Sequence, residues 1–404
     1  MNTLLSYTEA MAVIEAIPNF YEGLPGLEIP LGACAGGVLS RDLVAPIPSP
    51  AFTNAAMDGV AFKYDDLNQG PLQVVEVLYA GAGAKASDIA YRPGACVRIM
   101  TGAPLPAWAD TVVPVEKTQQ DVDGRVAFTE PVHRGANIRH IGEDLPQGAP
   151  LFKKGARLRP EDLMVAAAFG FASLPLTQGV RVHLVSTGNE LVEPGLPLKP
   201  GMIYNSSKYF LLAAATELGL RDVSHHTLPD DAALAREYVS SLAHENTPTL
   251  IISTGAVSAG EADFIPQLAT SMDFAPLFHK VAIRPGKPVF LGRRGATLWL
   301  GLPGNPISTA VGWHFFARPI LAKLGVGTTL DKRSFILRND VVKPEGLRCF
   351  YRAEVSADHR SVWIGRSQGS AHFASTLNMG AYIELPEGQG RWPANSQVNG
   401  ILVP

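Results

Sequence analysis

The residues best equipped for chemistry crowd into three glycine- and proline-rich turns, each following an apolar run. They are STGAVSAGEAD (Ser253 to Asp263), RPGKP (Arg284 to Pro288) and LPGNPIS (Leu302 to Ser308). A buried strand that ends in such a turn and leads into a helix brings backbone N–H groups up to phosphates and other anions. In the first turn Thr254, Gly255 and Ser258 supply small residues that let the backbone curl around a ligand, and Glu261 and Asp263 supply carboxylates. Mg2+ takes one or two carboxylates together with phosphate and water, so this mixture suits an anionic ligand held with a hard metal ion. Asp263 also reads as the N-cap of the next segment. Arg284 and Lys287, three residues apart, can clamp an oxyanion, or Lys287 is solvated on a rigid turn. Pro303 stiffens the third turn, and Ser308 falls near a helix start, where unpaired N–H groups and the dipole favour an anion.

Weaker constellations flank these. Ser186-Thr187-Gly188-Asn189-Glu190 follows an apolar strand, so Glu190 projects at a strand's carboxyl end unless it is simply solvated there. Asp58 in NAAMDGVA (54–61) reads first as part of an Asp-Gly turn, and Asp144 in GEDL (142–145) as part of a charged loop. Arg348, Arg352 and Arg366, with the small-residue turn from Gly365 to Ser370, offer either solvated cations or a further anion site. The ten histidines show no HxxxH or HExxH pattern, and adjacent His225 and His226 point to opposite faces of a strand, as structural residues do. No GxGxxG follows the first strand of an α/β unit, which argues against a dinucleotide dehydrogenase.

The elements that must position these residues follow from periodicity. Tyr7 to Ile17 reads as a helix ending at Pro18. From about Glu28 the runs VEVLY, ACVRIM, DTVVPVE, RVAFTE and ARLRP alternate with Gly/Pro turns, as in a bent sheet or small barrel, interrupted by a helix from Glu161 to Phe169. From Gly179 the pattern becomes α/β. Strands are expected at Val180–Ser186, Arg221–Thr227, Thr249–Ser253 and Thr297–Leu302, and helices at Ser206–Leu218, Asp230–His244 and Ile307–Leu324. After Gly325 the segments SFILRNDVV, CFYRAEVS, SVWIGRS, AYIELP and GILVP return to β. The expected fold class is therefore multidomain α+β and α/β: a central three-layer α/β domain with a mainly parallel sheet, a β-rich N-terminal region and a C-terminal β domain.

Composition narrows the function. At 404 residues the chain exceeds the roughly 250–300 that one core sustains. With 34 Lys+Arg against 37 Asp+Glu, the net charge of -3 gives no footprint for nucleic acid. Cys34, Cys96 and Cys349 are far apart, which excludes a disulfide framework and fits a reducing cytoplasm. No run reaches the roughly 18–20 apolar residues of a membrane span, and MNTLLSYTEAM lacks the basic start of a signal peptide.

Taken together, NAAMDGVA, RIMTGAPLP, DTVVPVE, GEDL, STGNEL, TGAVSAGEADF, VAIRPGKPVF, LPGNPIS and GSAHFASTL resemble, in order and over nearly the whole chain, the molybdopterin molybdenumtransferase family, which includes the gephyrin E domain. The resemblance implies a cytoplasmic homodimer of four-domain subunits. A linker domain (residues 1–45 and 145–178) would carry the N-terminal helix and β hairpins. Residues 46–144 would form a β-rich inserted domain, residues 179–325 the molybdopterin-binding α/β domain, and residues 326–404 a C-terminal β-barrel-like domain. It also implies Mg2+-dependent insertion of molybdate into adenylylated molybdopterin with release of AMP, the substrate coming from a partner adenylyltransferase. By the same resemblance Asp58, Asp144, Glu190 and Asp263 are catalytic carboxylates. Glu190, Asp263 and Asp230, or its neighbour Asp231, serve the metal. Thr187, Gly188, Thr254, Gly255, Ser258 and Pro303 bind substrate, and Arg284, Lys287, Ser308, Arg352 and Ser370 bind the oxyanion. The chain departs from the family pattern with Arg284 for Lys, Ala256 for Gly, Asn189 for Asp, and Ala55 and Val60 for Ser and Tyr. A non-catalytic molybdopterin-binding or scaffold paralogue and a tungstate-using relative are the competing readings.

Overall fold

The computed structural model describes residues 4–18, 20, 26–81, 83–177, 179–242, 247–257, 264–326 and 330–403. The chain forms two compact units, residues 26–176 and residues 1–25 with 177–404.

The 26–176 unit is built on a six-stranded sheet in the order Thr111–Pro114, Gly59–Phe62, Ala95–Ile99, Leu72–Leu78, Arg125–Phe128, Thr118–Gln120. All neighbours are antiparallel except Leu72–Leu78 and Ala95–Ile99. Gly59–Phe62 is buried throughout because both faces carry a core, one around Ala61, Val97 and Ile99, the other around Val60, Phe62 and Cys96. The ARLRP segment is not a strand. Arg157 makes a single bridge to Val38, and Pro160 opens a helix, Pro160–Ala168, whose first turn is closed by the Arg159 and Asp162 pair. Proline lacks the N–H a ladder needs but suits a helix's first position.

The other unit begins with α1 (Tyr7–Glu15), started by a capping box between Ser6 and Glu9. Its central sheet comprises β1 (Arg181–Thr187), β2 (Val223–Leu228), β3 (Thr249–Thr254), β4 (Ala275–His279), β6 (Phe290–Arg294) and β7 (Thr297–Leu302), with the two-residue strand β5 (Ile283–Arg284) lying outside it. The sheet order is β2-β1-β3-β7-β6-β4, parallel from β2 to β7 and antiparallel through β6 to β4. β3 and β7 are buried at every residue, so they read as continuous apolar runs. Helices α2 (Ser206–Glu217), α3 (Ala232–Leu242), α4 (Ile265–Ser271), α5 (Pro306–Gly312) and α6 (Arg318–Lys323) cover it. Alternate strand residues face opposite ways. Val182, Leu184, Leu250 and Ile252 pack with α1, α2, α5 and α6, whereas Val185 and Ile251 pack with α3 and α4.

The helix expected over Ile307–Leu324 is interrupted by a π turn at Trp313–Ala317. Pro319 has no N–H to return to the Phe315 carbonyl, and that oxygen instead accepts a 3.4 Å bond from the Tyr7 hydroxyl.

The C-terminal segment closes into a barrel. Strands β8 (Lys332–Leu337), β9 (Arg348–Val355), β10 (Ser361–Trp363), β11 (Ala381–Leu385) and β12 (Gln397–Leu402) ring in the order β9-β10-β8-β12-β11 and back to β9. β5 joins this ring in parallel beside β9, with Arg284 opposite Cys349.

Candidate functional site

The carboxyl ends of β1, β3 and β7 converge through their turns. The Gly188 N–H donates to the Leu228 carbonyl at 3.2 Å, the Thr187 hydroxyl to the Thr254 carbonyl at 3.2 Å, and the Gly255 N–H to the Leu302 carbonyl at 3.0 Å. Gly255 takes φ +97°, and a Cβ there would lie 2.6 Å from the Thr187 hydroxyl and 2.7 Å from its carbonyl, so no other residue fits. Gly304, in the turn after β7, packs directly against Gly255. From β1 the chain runs through α2 to β2 on one side, and from β2 it crosses through α3 to β3 on the other side of β1. That reversal opens a crevice at the strand ends.

The crevice is a cavity of about 140 Å³. Six of the residues expected at the site line it: Thr187, Gly188, Glu190, Asp230, Thr254 and Gly255. The Glu190 carboxylate folds back over Gly188, where a Cβ would sit 2.6 Å from Oε2. The structure separates the two neighbouring aspartates. Asp231 caps α3, accepting from Ala233 and Leu234 N–H at 2.7 and 3.1 Å, while Asp230 lines the cavity. Asp230 is held by a reciprocal pair with Asn189. The Asn189 N–H donates to its carboxylate at 3.3 Å, and its own N–H donates to Asn189 Oδ1 at 3.2 Å. Asn305, capping α5 through Ile307 N–H at 3.1 Å, and Pro306 at the first helical position turn the start of α5 toward the same space.

A second cleft, about 870 Å³, lies against the barrel and is lined by Arg284, Tyr351, Trp363 and residues 364–369. Arg284 and Lys287 are exposed and have no ion-pair partner among the described residues. Gly286, between them, rests against buried Ser308 on α5. Pro303 presents its carbonyl to the Thr309 hydroxyl at 2.9 Å, which fixes the turn before α5. Arg352 is 2 % exposed, and its Nη2 donates to the Ser367 and Gly369 carbonyls at 3.2 and 3.1 Å. Burial lowers its pKa from the usual arginine value. Its guanidinium thus shapes the loop that ends at half-buried Ser370.

Asp58 and Asp144 belong to the 26–176 unit. Asp58 Oδ1 accepts from the Thr101 N–H at 2.6 Å and the Thr101 hydroxyl at 2.8 Å, and these two donors hold its carboxyl below the usual aspartate range. Asp144 accepts from the Ser49 hydroxyl at 3.1 Å. Ser258, Glu261 and Asp263 lie outside the described residues. Among the described residues no three His, Cys, Asp or Glu side chains cluster as metal ligands. The pair Glu190 and Asp230 nevertheless shares one cavity with hydroxyl groups, and two carboxylates suffice for Mg2+ when phosphate and water complete its shell.

Sequence reasoning missed Thr101, Asn205, Ser206 and Ser207. Thr101 sits in a turn that carries no charge to draw notice. Asn205 caps α2 through Lys208 N–H at 3.2 Å and lines the cavity with both serines. The Asn-Ser-Ser run at a helix start was the available signal. His225 is bound at 3.0 Å to Ser186, and burial pushes it down to about 4, so it stays neutral; His226 stacks on Tyr238 across the strand.

Comparison with known proteins matches this architecture. Residues 5–170 fit the family model for the MoeA N-terminal region (domain I and II), and residues 183–323 the model for a probable molybdopterin binding domain. The chain is 37% identical to a molybdopterin molybdenumtransferase of Synechococcus elongatus, covering 98% of each chain. It is 36% identical to molybdopterin molybdenumtransferase 2 of Mycobacterium tuberculosis, over 89% of this chain and 91% of that one. A crystal structure of a molybdopterin biosynthesis MoeA protein from Pyrococcus horikosii superposes with a TM-score of 0.80 at 25% identity, covering 99% of each chain. With two family models in tandem, a near full-length relative and the same fold throughout, the chain belongs to the molybdopterin molybdenumtransferase family, transferases of molybdenum-cofactor biosynthesis.

Proposed function

We propose that the protein inserts molybdate into the dithiolene of adenylylated molybdopterin and, with Mg2+, cleaves the pyrophosphate link to release AMP and molybdenum cofactor. The observation that carries this reading is the cavity where Glu190 and Asp230 meet the hydroxyls of Thr187 and Thr254 at a switch point of the sheet. Glu190 and Asp230, joined by Asp263 as the family resemblance implies, are the residues that would hold Mg2+. The ion supplies neutralisation of phosphate charge.

The chain's own groups do the rest by positioning and charge. Thr187 and Gly255 fix the turns that bracket the pyrophosphate. Arg284 and Lys287, exposed and unpaired among the described residues, hold the oxyanion beside Ser308. A guanidinium at position 284 keeps the charge of a lysine and adds a planar fork that can grip two oxygens. Arg352 acts through the 365–370 loop, setting Ser370 in place. Insertion forms two Mo–S bonds while the two dithiolene protons leave with one molybdate oxygen as water; cleavage adds one water across the P–O–P bond and needs no covalent enzyme intermediate. The reading includes a cytoplasmic homodimer, Asp58 and Asp144 as further carboxylates, and an adenylyltransferase as the source of substrate.

Glu190→Gln tests it. Glu190 is exposed and serves as no cap or core residue, so the variant keeps the wild-type melting temperature while AMP release falls about a hundredfold or more. Undiminished turnover by Glu190→Gln would remove the cavity from the reaction.

A further inference from the structure

We infer that Tyr351 is a further oxyanion-binding residue, its phenol hydroxyl donating to the molybdate that Arg284 holds. This rests on the reading above, in which Arg284 and Lys287 take the oxyanion, and adds a neutral donor to their site.

Strand pairing sets the geometry. β5 lies beside β9 with Arg284 opposite Cys349, and partners in register project to the same side of a sheet. Alternate residues of a strand share a face, so Tyr351, two residues beyond Cys349, projects to that side too. Arg284 and Tyr351 accordingly line the same cleft of about 870 Å³. Tyr351 is 5% exposed and belongs to the barrel core with Cys349, Val341 and Ile364. Lys343 secures the start of β9 by donating to the Leu347 and Pro344 carbonyls at 2.8 and 3.0 Å. A ring fixed in this way has its hydroxyl placed before any ligand arrives, so binding carries little ordering cost.

The protein itself makes little use of that hydroxyl. A buried tyrosine O–H usually has a hydrogen-bond partner. Among the described residues the side-chain partner of this one is the Cys349 thiol, and sulfur is a weak acceptor. An oxyanion beside Arg284 is a charged acceptor, and charge-assisted hydrogen bonds are roughly twice as strong as neutral ones. The group also remains a donor. Burial first, and then the thiol, hold the phenol protonated above its usual range, while the Arg284 charge pulls the other way without reversing this. Other polar side chains of the cleft are committed to the backbone: Asn339 to the Ile364 N–H and carbonyl at 3.0 Å each, Gln368 to Arg352 and Gly365. The acidic residue lining the cleft, Asp340, is paired with Arg391 at 3.1 Å, so it does not compete for Arg284.

Tyr351→Phe removes the hydroxyl and keeps the ring, so its melting curve should match that of wild type. Molybdate binding to the full-length variant, measured by equilibrium dialysis, is expected to weaken about tenfold. In turnover the KM for molybdate should rise by a similar factor while the KM for adenylylated molybdopterin stays unchanged, a split that a general loosening of the barrel would not produce. Cys349→Ala removes the competing acceptor and should bind molybdate at least as well as wild type; a loss equal to that of Tyr351→Phe would show that the pair acts through packing and would overturn the assignment. Arg284→Gln, run alongside, tests the site beneath it. If Arg284→Gln loses molybdate and Tyr351→Phe binds it like wild type, the oxyanion site stands and the role of Tyr351 is overturned. If Arg284→Gln binds as wild type does, or wild type binds no molybdate, the site itself is misplaced and Tyr351 has no oxyanion to receive.

Discussion

At the scale of single residues, hydrogen bonds fix protonation and orientation. Asp58 owes its lowered pKa first to the Thr101 N–H and then to the Thr101 hydroxyl. A carboxyl depressed on folding adds stability that is fully present above the ordinary aspartate range, roughly 3.9, and is lost as pH falls through the folded value. Thr101→Ala deletes one donor and leaves the other. Asp58, followed by carboxyl-carbon NMR, should then titrate at a higher pH than in wild type; an unmoved titration would show the hydroxyl contributes nothing. Asn189 shows a different economy. An aspartate there would face Asp230 across the same reciprocal pair, whereas the amide accepts the Asp230 N–H without adding a like charge. Glu190 and Asp230, which line one cavity, were legible as candidates because few residue types can hold a cation. Thr101 was not, because a hydroxyl in a TGAP turn gains meaning only from the strand pairing that lays it against Asp58.

At the scale of elements, the turn after β3 concentrates the strain. Gly255 is forced by the approach of Thr187, and the next residue, Ala256, sits at φ +51°. An alanine there costs about 1–2 kcal/mol against a relaxed backbone, part of which a glycine returns as lost chain entropy on folding. Ala256→Gly is therefore expected to stabilise the protein by about 0.5 kcal/mol in urea unfolding; a destabilised variant would mean that the packing of the Ala256 methyl against the α3 and α4 core outweighs the backbone term. Strands β1, β3 and β7 were readable from their apolar runs, and α3 from the aspartates at its start. β4 and β6 were not. They are short, run antiparallel at the sheet's edge, and are bounded by proline and glycine that look like loop signals. The single long helix expected after Asn305 fails for a local reason, Pro319, whose missing N–H opens a π turn and frees the carbonyl that Tyr7 takes.

At the scale of the whole molecule, sequence patterns showed the class of each region but not how regions share residues. The barrel borrows Ile283–Arg284 as a strand, which is how a turn of the α/β region presents Arg284 to a cleft of the C-terminal region. No periodicity in two residues could reveal that. The same unit is tied by Arg348, which bonds Glu384 and Glu387 at 2.7 Å each and lies 5.0 Å from the Tyr7 ring, joining the barrel to α1. Lys332 closes the group on Glu384 at 2.8 Å. Among the described residues no helix is long and apolar enough to cross a membrane. The family resemblance supplied what geometry could not. Carboxylates in two compact units, and a loop outside the described residues, gain a common purpose only through the reaction proposed for them.

The most direct test of that reaction is to mix purified wild-type protein with adenylylated molybdopterin and Mg2+ and follow AMP with and without molybdate. AMP release that depends on molybdate is expected, with molybdenum cofactor appearing alongside it. Substrate that binds but yields no AMP, or AMP released at the same rate without molybdate, would contradict it.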